Sequence, residues 1–550
     1  MNKFLLSNSV FTGHMDMFIF SVLAVLSTVL MIFVGYKLLQ MLQLTGYKLN
    51  GYVKWFKETK YSYISRLFML SFLSLSSMLI TNVLLADFIL DNIWSYLSII
   101  FYILFCSLFI TNLFTAKQKT PLKYTKRMTR LIVVFTVLIG GFTWFVQYIG
   151  YRYIPYLSFA LIGIIPLTLP VFVFLAYFIT YPLEKLISSS YIKKAKKKLA
   201  NCKNLTVVGI TGSYGKTTVK NILKIILEEK FKVCASPSSY NTPLGIAKTI
   251  LSNLSESDEV FIAEMGAKQM FDIKELCEIV EPEIGLITGI GNQHLLTFGS
   301  VENIVKTKGE LAEFVSQTKG KLFVNIDSDL SKKLAENYSK AIITSIGVSS
   351  GDMFVQNVKT TSKGSTFELV AKGEVQKCET ILLGEHNISN ILIASRVAYE
   401  MGISLKEISA GIKKLHTVQH RLEIVKSSST YTIIDDAYNS SVEGSKASLN
   451  VLSKFVGSKF VITPGLVELG DEQYNSNFEF GKNMAEVCDY VIIDYASNFK
   501  AISEGLKSAN FDEDKIIQVA NLTQAVEILN KLAKKDDVVL FENDLPDNYS

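Results

Sequence analysis

Five long stretches without a charged residue lie in the first third of the chain and restrict its fold more than any other feature. They are residues 17–36, 67–86, 94–116, 131–149 and 154–181. A helix that crosses a bilayer needs about 20 mostly apolar residues. The first stretch lacks the basic flank and the small-residue cleavage site of a signal peptide. The sequence therefore predicts an N-terminal α-helical transmembrane domain of about five helices over residues 1–184.

The segments that separate these stretches alternate in charge. The basic ones follow the first, third and fifth stretches, and they contain Lys48, Lys54, Lys57 and Lys60, then KQKTPLKYTKRMTR, then YIKKAKKKLA. Basic loops stay on the cytoplasmic side of a membrane. We therefore expect a multi-pass protein of the plasma membrane with its N-terminus outside. Residues 185–204 would be a basic juxtamembrane linker, with everything after it in the cytoplasm.

Charge and cysteine usage count against several classes of function. No Asp, Glu, Lys, Arg or His lies inside the five stretches, and a proton or ion pathway normally needs one. The lysine run at 193–198 fits a topology signal on a solvated helix face better than a nucleic-acid site. The six cysteines occur singly, without a C-x-x-C pair, so neither a zinc site nor a disulfide framework is indicated.

From about residue 205 the chain alternates between short β-prone runs and helical segments. LTVVGIT, FKVCAS, EVFIAEMG, IGLITGIG, KLFVNI and KAIITSIG are almost continuously apolar, as buried parallel strands are. Residues 352–384 instead alternate and predict antiparallel hairpins, and two helices follow. The pattern predicts a doubly wound α/β domain of P-loop type over residues 205–420.

A second alternation follows Arg421. Its predicted strands are YTIIDDA, KFVITPG, YVIIDYA, KIIQVA and DVVLFEN. These runs predict a smaller, Rossmann-like α/β domain over residues 421–550. The expected fold class is therefore multi-domain, with a transmembrane helical domain followed by two α/β domains.

Residues 207–223, VVGITGSYGKTTVKNIL, have the pattern of a strand, a glycine-bearing turn and a helix start. Backbone N–H groups in such a turn bind phosphate oxygens. Lys216 is placed to reach the β- and γ-phosphates and Thr217 offers a hydroxyl to Mg²⁺, so ATP and Mg²⁺ are the predicted cofactors. Ile210 replaces the first glycine of the general P-loop pattern, but T-G-x-x-G-K-T-T holds. The nucleotide-binding loop is Thr211, Gly212, Ser213, Tyr214, Gly215, Lys216, Thr217 and Thr218.

Several ordered blocks resemble the Mur ligases, the ATP-dependent amide-forming enzymes of peptidoglycan precursor synthesis. Besides the loop they are SYNTPLGIAKTI, FIAEMGA, TGIGNQHLLTFGSVENIVKTKGEL, LLGEHNISNILIAS, and HRLEI followed by IIDDAYNSSVEG. The resemblance covers residues 205–501 and is strongest to the branch that adds D-alanyl-D-alanine to a muramoyl tripeptide. It implies an ADP-forming carboxylate–amine ligase, in which the γ-phosphoryl group of ATP gives an acyl phosphate that an amine attacks.

The resemblance also implies roles for individual residues. The catalytic residues would be Lys216, Glu264, His294 and Lys308. Mg²⁺ would be held by Thr217, Glu264, His294 and, if carbamylated, Lys308. The nucleotide would also contact Asn325, His386, Asn387, Asn390, Arg421 and Asp436. The substrates would contact Asn241, Asp435, Tyr438 and Asn439. Independently of the resemblance, Glu264 ends an apolar strand, where a buried carboxylate needs a partner or a metal.

The chain departs from the family pattern in two places. The soluble Mur ligases begin with a domain that holds a UDP-sugar, and the charge-free stretches stand in its place. After the last strand the chain has FENDLPDNYS, where the D-alanyl-D-alanine branch has a Lys-Gly-Ser element. We therefore expect a membrane-anchored amide ligase of cell-envelope biogenesis. Its substrates would be an amino acid or small amine and a cell-envelope precursor, with a lipid-linked glycan or polymer as one candidate.

Three alternatives stay open at this point. One is a polymerising ligase similar to poly-γ-glutamate synthetases. Another is a P-loop ATPase coupled to transport, which would need an Asp-Glu strand end and charged membrane residues. The last is a non-catalytic scaffold. Under each of these alternatives we expect the membrane to be a partner, and we expect no nucleic-acid partner.

Overall fold

A computed structural model describes residues 13–59, 61–80, 93–115, 120–153, 160–237, 240–291, 295–346, 352–425, 429–438 and 441–543. These residues divide into two units, one up to Ile187 and one from Ser188 on. The first unit is helical. Its helices are α1 Gly13–Val34, α2 Tyr36–Leu44, α3 Leu49–Glu58, α4 Ser62–Leu79, α5 Ile93–Thr115 and α6 Lys126–Tyr153, with a 3₁₀ turn at Ala160–Ile164. The first part of α7 Ile165–Asn201 also belongs to it.

Two of the described helices are long and apolar enough to cross a membrane, judged by length and composition. They are Lys126–Ile149 and Leu161–Asn201. Ser21–Val34 and Tyr36–Leu44 would make a third span if the pair, bent by 41°, is one span, whereas Ile99–Thr115 is shorter. The predicted stretches 67–86 and 154–181 lie partly outside the described residues. The count of five spans and the side of the N-terminus therefore stay predictions.

A charged pair joins α6 and α7 beside their apolar segments. Arg130 Nε donates to Glu184 Oε1 at 2.6 Å and Arg130 Nη2 donates to Glu184 Oε2 at 2.9 Å. The carboxylate is buried, and the planar fork of an arginine matches both of its oxygens. The pair therefore fixes the register between α6 and the polar end of the span-length segment of α7.

Helix α7 continues without a break through the sequence predicted to be a linker, although Pro170 and Pro182 lie inside it. From Ser188 on it belongs to the second unit. There Ala195 is completely buried in an apolar core, with Ile192 and Leu199 packed against it. Residues 188–201 are thus helical, with one face in the core of the second unit.

The second unit contains a six-stranded parallel sheet with strand order β2-β3-β1-β4-β5-β6. Its strands are β1 Thr206–Thr211, β2 Val233–Ala235, β3 Val260–Glu264, β4 Ile284–Ile287, β5 Lys321–Asn325 and β6 Ile342–Thr344. The helices are α8 Lys216–Leu227, α9 Pro243–Ser252, α10 Asp272–Val280, α11 Leu295–Phe298, α12 Val301–Gln317 and α13 Asp329–Glu336. The six predicted strands and their parallel arrangement are confirmed.

Successive side chains along a strand point to opposite faces of this sheet, and an apolar core lies on each face. Val208 and Ile262 face a core that includes α8, whereas Val207 and Phe261 face the core that includes α9, α10 and α12. A strand that is apolar on both faces must be covered on both faces. The doubly covered sheet explains why these strands are continuous apolar runs.

An antiparallel sheet follows, as the alternating residues 352–384 predict. It consists of β7 Met353–Thr361, β8 Gly364–Ala371 and β9 Glu374–Thr380, and helices α14 Glu385–Glu400 and α15 Leu405–Lys413 come next. Ser404 and Glu407 form a capping box at the start of α15. The small sheet and both helices share the core that contains α8.

The last sheet has strand order β10-β11-β15-β12-β13-β14, with β10 antiparallel at one edge. Its strands are β10 Glu423–Val425, β11 Thr432–Asp436, β12 Lys459–Thr463, β13 Tyr490–Ile493, β14 Ile516–Gln518 and β15 Val538–Glu542. The helices are α16 Val442–Ser453, α17 Gln473–Ala485, α18 Ala496–Ser508 and α19 Leu522–Leu532. The five predicted strands are confirmed. The short strand β10 was not predicted, because three residues give no periodicity to detect.

The packed end of α7 gives the first prediction. Ala195→Asp would bury an unpaired carboxylate, which we expect to lower the free energy of unfolding of the second unit by about 3 kcal/mol. Ala200→Asp, on an exposed position of the same helix, is the control. Denaturant unfolding of the full chain in detergent measures both variants. Equal stability of the two variants would show that the helix end is only a linker.

Candidate nucleotide and magnesium site

The site begins at the turn between β1 and α8. The backbone at Gly212 has φ +154°, and a Cβ there would lie 2.2 Å from Thr288 Oγ1. At Gly215 φ is +79°, and a Cβ would lie 3.0 Å from Asn390 Oδ1. Residues with a side chain rarely adopt these angles, and neither position has room for one. The two glycines therefore hold the loop in the shape that exposes backbone N–H groups at a helix start.

Hydrogen bonds fasten the loop to the ends of neighbouring strands. Thr211 Oγ1 donates to the Met265 carbonyl at 3.1 Å, and Ser213 N–H donates to the Gly289 carbonyl at 2.7 Å. Ser213 Oγ also donates to the Gly291 carbonyl at 3.0 Å. Tyr214 is mostly buried, and burial raises the pKa of its phenol. Thr218 lies partly buried in the first turn of α8. The predicted loop residues are thus together at one edge of the sheet.

Lys216 lies across the turn from which it starts. Its Nζ donates to the carbonyls of Gly212 at 2.7 Å and Ser213 at 2.8 Å. Burial lowers the pKa of Lys216 to about 8, which Glu264 opposes and Arg421 reinforces. The ammonium therefore lies on the concave side of the loop, where phosphate oxygens can replace the two carbonyls as acceptors.

Glu264, at the end of β3, is the centre of a buried polar cluster. Its carboxylate accepts hydrogen bonds from Thr217 Oγ1, at 3.1 Å to Oε1 and 3.0 Å to Oε2. Asn241 Nδ2 donates to Oε1 at 3.2 Å. The Glu264 side chain is only 1% exposed. The structure thus brings together Thr217 and Glu264, which the resemblance places at one metal site, and adds Asn241, which it places among the substrate contacts.

The cluster also holds a residue that sequence reasoning missed. Lys220 Nζ lies 2.9 Å from Glu264 Oε2, and the Lys220 side chain is also only 1% exposed. The signal was present in α8, where Lys220 interrupts the buried face formed by Val219, Ile222 and Leu223. A lysine on such a face needs an anion nearby, and Glu264 is that anion.

Lys308 is the second buried lysine near the loop. It follows Ile304 by one turn on the buried face of α12, a helix capped by Ser300, whose Oγ accepts from the Asn303 N–H at 3.2 Å. Burial and, to a smaller extent, the nearby charge of Lys216 lower the pKa of Lys308 to about 7, against the opposing charges of Asp272 and Glu310. Near neutral pH a large fraction of its amine is therefore uncharged. An uncharged amine is the form that CO₂ can convert to a carbamate.

The predicted nucleotide side is built by the end of β5 and the start of α14. Asn325 Nδ2 donates to Ser389 Oγ at 2.6 Å. Asn390 Nδ2 donates to Asn387 Oδ1 at 3.3 Å, and Asn387 Nδ2 donates to the Leu383 carbonyl at 2.8 Å. Asn390 also contacts the loop, since its Oδ1 would lie 3.0 Å from a Cβ on Gly215, whereas Asn325 contacts α14 at Ser389. His386 lies in the first turn of α14, and burial lowers the pKa of its imidazole to about 4.

The C-terminal domain contributes a set of charged residues. The Arg421 guanidinium lies over the Tyr438 ring, 4.4 Å from its centroid. Burial raises the pKa of Asp436 to about 6, against the opposing charge of Arg421. Asp435 Oδ2 lies 2.7 Å from His420 Nδ1. These four predicted residues are thus arranged around one strand end.

The link that carries these residues has an unusual backbone. His420 has φ +59° and Leu422 has φ +47°, both in the left-handed region. Non-glycine residues adopt this region at an energetic cost. Leu422 N–H donates to Asp436 Oδ1 at 3.2 Å, which holds the link against the end of β11.

His294 and Asn439 lie outside the described residues, so their predicted roles stay predictions. Within the described ranges no group of three or more His, Cys, Asp or Glu could hold a metal ion. This does not exclude Mg²⁺, which usually keeps several waters and takes one or two carboxylates together with phosphates. The hard oxygen donors of Thr217, Glu264 and Asn241 suit that ion, and the glycine loop suits a nucleotide phosphate.

A second missed residue is Glu443, in the first turn of α16. Its Oε2 is buried without a hydrogen-bond partner among the described residues. A Cβ on Gly291 would lie 2.8 Å from that oxygen. Glu443 thus lies against the segment that accepts a hydrogen bond from the phosphate loop. Nothing in its local sequence distinguishes it from an ordinary helix-start glutamate.

Two protein-family models match the chain. The Mur ligase middle domain matches residues 210–398, and the Mur ligase glutamate ligase domain matches residues 420–542. Together they cover more than half of the chain. The first match contains the phosphate loop, the Glu264 cluster and Lys308, and the second contains Arg421 and Asp436.

Individual relatives agree with these matches. The UDP-N-acetylmuramoyl-tripeptide–D-alanyl-D-alanine ligase of Bacillus subtilis is 27% identical over 338 residues, which are 61% of this chain and 72% of the relative. The enzyme of the same name from Haemophilus influenzae is 28% identical over 61% of this chain and 73% of its own length. The structure of the MurF ligase from Thermotoga maritima in complex with ADP superimposes with a TM-score of 0.57 at 26% identity, over 65% of this chain and 80% of that one.

The two α/β domains, the phosphate loop and these matches define an ATP-dependent ligase. A ligase uses ATP to form a covalent bond, so this assignment excludes a P-loop ATPase that only drives transport. The chain belongs to the Mur ligase family, and it carries the middle and C-terminal domains of that family.

The loop geometry gives the second prediction. Gly212→Ala would place its Cβ against Thr288 Oγ1, so we expect the affinity for ADP to fall about tenfold or more, since about 1.4 kcal/mol of loop strain corresponds to that factor. Gly373→Ala is the control, because Gly373 also has a positive φ but a Cβ there would meet nothing within 4 Å. Calorimetric titration of the full chain measures both. Unchanged ADP affinity in Gly212→Ala would contradict the role of the loop.

Proposed function

We propose that this chain is a membrane-anchored amide ligase that faces the cytoplasm and modifies a cell-envelope precursor. The observation that carries the proposal is the phosphate loop with Thr217 hydrogen-bonded to the buried carboxylate of Glu264. In such an arrangement a nucleotide phosphate and a carboxylate ligand can share one Mg²⁺, whose charge would offset that of the reacting phosphates.

The chain's own residues have defined tasks in the reaction. Lys216 leaves the two loop carbonyls and binds the phosphates that react. A substrate carboxylate oxygen attacks the γ-phosphorus of ATP, ADP leaves, and an acyl phosphate forms. The amine then attacks the acyl carbon, loses a proton, and phosphate leaves with the carboxylate oxygen. The chemistry needs positioning and charge neutralisation more than covalent help.

The C-terminal domain would complete the site. Arg421 carries a positive charge close enough to lower the pKa of Lys216. We propose that it contacts the ATP phosphates, that Asp436 lies on the nucleotide side, and that Asp435 and Tyr438 face the substrates. The strained link at His420 and Leu422 is where the domain would turn to close over ATP.

The first unit supports the membrane part of the proposal. Large apolar side chains lie exposed along both span-length helices. On α6 they include Val133 and Val137, and on α7 Val171, Phe178 and Ile179, each more than half exposed. Such contiguous exposed apolar surface is unfavourable in water and favourable in lipid. The Arg130–Glu184 pair lies outside the charge-free stretches, as an anchor requires.

The names of the relatives reduce the number of candidate substrate classes. Those relatives are named for joining D-alanyl-D-alanine to a UDP-N-acetylmuramoyl tripeptide. We propose a peptide-like or amino-acid amine and a carboxylate on an envelope precursor for this chain. A lipid-linked precursor suits an enzyme whose N-terminal part is the apolar unit. A polymerising ligase would differ by giving a ladder of product masses.

The third prediction tests this function directly. Membranes from cells that lack the protein are given ATP and either the wild-type chain or Lys216→Met, and lipids and glycans are compared by mass spectrometry. We expect one envelope compound to gain the mass of an amino acid or dipeptide, less water, with the wild type. We expect a rate about a hundredfold or more lower with Lys216→Met, which removes the phosphate-binding charge.

The control for that experiment is Lys224→Met, on an exposed part of the same helix. It should match the wild type. ATP consumption by the wild type without any new product, at a rate independent of the membrane fraction, would contradict the proposal. So would extraction of the chain from membranes by alkaline carbonate, since a spanning anchor resists it.

The fourth prediction concerns Lys308. We propose that its amine forms a carbamate, which turns a buried cation into an anion on the metal side of the site. Lys308→Ala should reduce activity about a hundredfold, and a small carboxylate such as acetate or formate should restore part of it by occupying the vacated space. Lys306→Ala, on the exposed side of α12, is the control. Loss of activity without any rescue would favour a role for the lysine ammonium itself.

A further inference from the structure

The buried lysine beside Glu264 has no role in the function proposed so far. Lys220 and Glu264 are each 1% exposed, and Lys220 Nζ lies 2.9 Å from Glu264 Oε2. The other described donors to this carboxylate, Thr217 and Asn241, are neutral. Lys216 is engaged with its own loop carbonyls. Lys220 thus supplies the cation that a buried carboxylate requires.

We propose that Lys220 is a positioning residue that acts as the built-in counter-ion of Glu264. It holds the carboxylate in place while the metal is absent, and it weakens Mg²⁺ binding until nucleotide phosphates are present. The inference rests on the proposed function, because it assigns Lys220 to the metal side of the same site.

The hydrogen bonds to Glu264 support the proposal that the carboxylate is held in place while the metal is absent. Glu264 Oε2 receives Lys220 Nζ and one contact from Thr217 Oγ1, while Oε1 receives Thr217 Oγ1 and Asn241 Nδ2. Both carboxylate oxygens are therefore occupied by donors on several sides. A carboxylate held in this way has its orientation set before any ligand arrives.

The positive charge of Lys220 supports the proposal that Mg²⁺ binds weakly until nucleotide phosphates are present. A metal that approaches Glu264 meets a carboxylate whose charge is already balanced by an ammonium in direct contact. The repulsion between two cations in a buried site is large, because little water screens it. The negative phosphates of a nucleotide on the adjacent loop would restore the attraction. Mg²⁺ would therefore bind well only together with the nucleotide, and would leave with it.

The test compares variants of the full chain in detergent. Lys220→Met removes the charge and keeps the length, and Lys220→Arg keeps the charge. Lys224→Met is the matched control, one turn further along α8, where an exposed lysine pairs with Glu228 at 3.5 Å. The unfolding temperature is measured against Mg²⁺ concentration, with and without ADP.

We expect the Mg²⁺ concentration for half-maximal stabilisation in the absence of ADP to fall on the order of tenfold in Lys220→Met. Lys220→Arg and Lys224→Met should keep the wild-type value. A role in packing alone would lower the unfolding temperature of Lys220→Met and leave its Mg²⁺ dependence unchanged. That result, or a shift to higher Mg²⁺ concentration, would overturn the inference.

Lys220→Gln serves where Lys220→Met fails to fold, since it removes the charge and retains a donor. It should show the same shift. Failure of both variants to fold, without repair by millimolar Mg²⁺, would also overturn the inference, because the metal is expected to replace the lost ammonium.

The experiment separates this inference from the proposed function. A wild-type chain that binds no ADP in the presence of Mg²⁺ contradicts the proposed function itself. A wild-type chain that binds ADP with Mg²⁺, while Lys220→Met shows no shift, contradicts only the role given to Lys220.

Discussion

The buried carboxylate of Glu264 is the constraint on which the site depends. A carboxylate in an apolar sheet is stable only when its charge is balanced and its oxygens are hydrogen-bonded. Lys220 balances the charge, and Thr217 and Asn241 complete the hydrogen bonds. Three elements, β3, α8 and the segment before α9, are therefore joined at one point beside the phosphate loop. The same cluster that stabilises the sheet edge also places oxygen donors where a metal and phosphates would meet.

Most of the α/β fold could be predicted from the sequence, because buried parallel strands are continuous apolar runs between helical segments. The eleven strands predicted in the two parallel sheets are present. The short strand β10 was not predicted, since it is too brief. The lysine run at 193–198 was predicted to lie on a solvated helix face, but the sequence did not predict that this helix continues unbroken from the last apolar segment or that one of its faces is buried. A run of lysines indicates a solvated helix surface. It does not indicate that the other face of the helix is buried, as Ala195 of α7 is.

The site was predictable where a motif fixes spacing. The phosphate loop and Glu264 lie at the same edge of the sheet, because the carboxyl ends of parallel strands share one edge. Lys220 and Glu443 were missed for different reasons. Lys220 interrupts the buried face of α8, a local signal that was present in the sequence, but its partner Glu264 is distant in sequence. Glu443 meets Gly291 from another domain, and this contact follows from the fold and is not visible in local sequence.

The proposed function is that the chain uses ATP to join a carboxylate and an amine through an acyl phosphate at a membrane. The most direct measurement is the oxygen content of the released phosphate when membranes, ATP and the wild-type chain react in H₂¹⁸O. A ligase returns phosphate that carries the substrate's carboxylate oxygen, so the account predicts phosphate without solvent label. One atom of ¹⁸O in each phosphate would mean that water attacks ATP, and it would contradict the account.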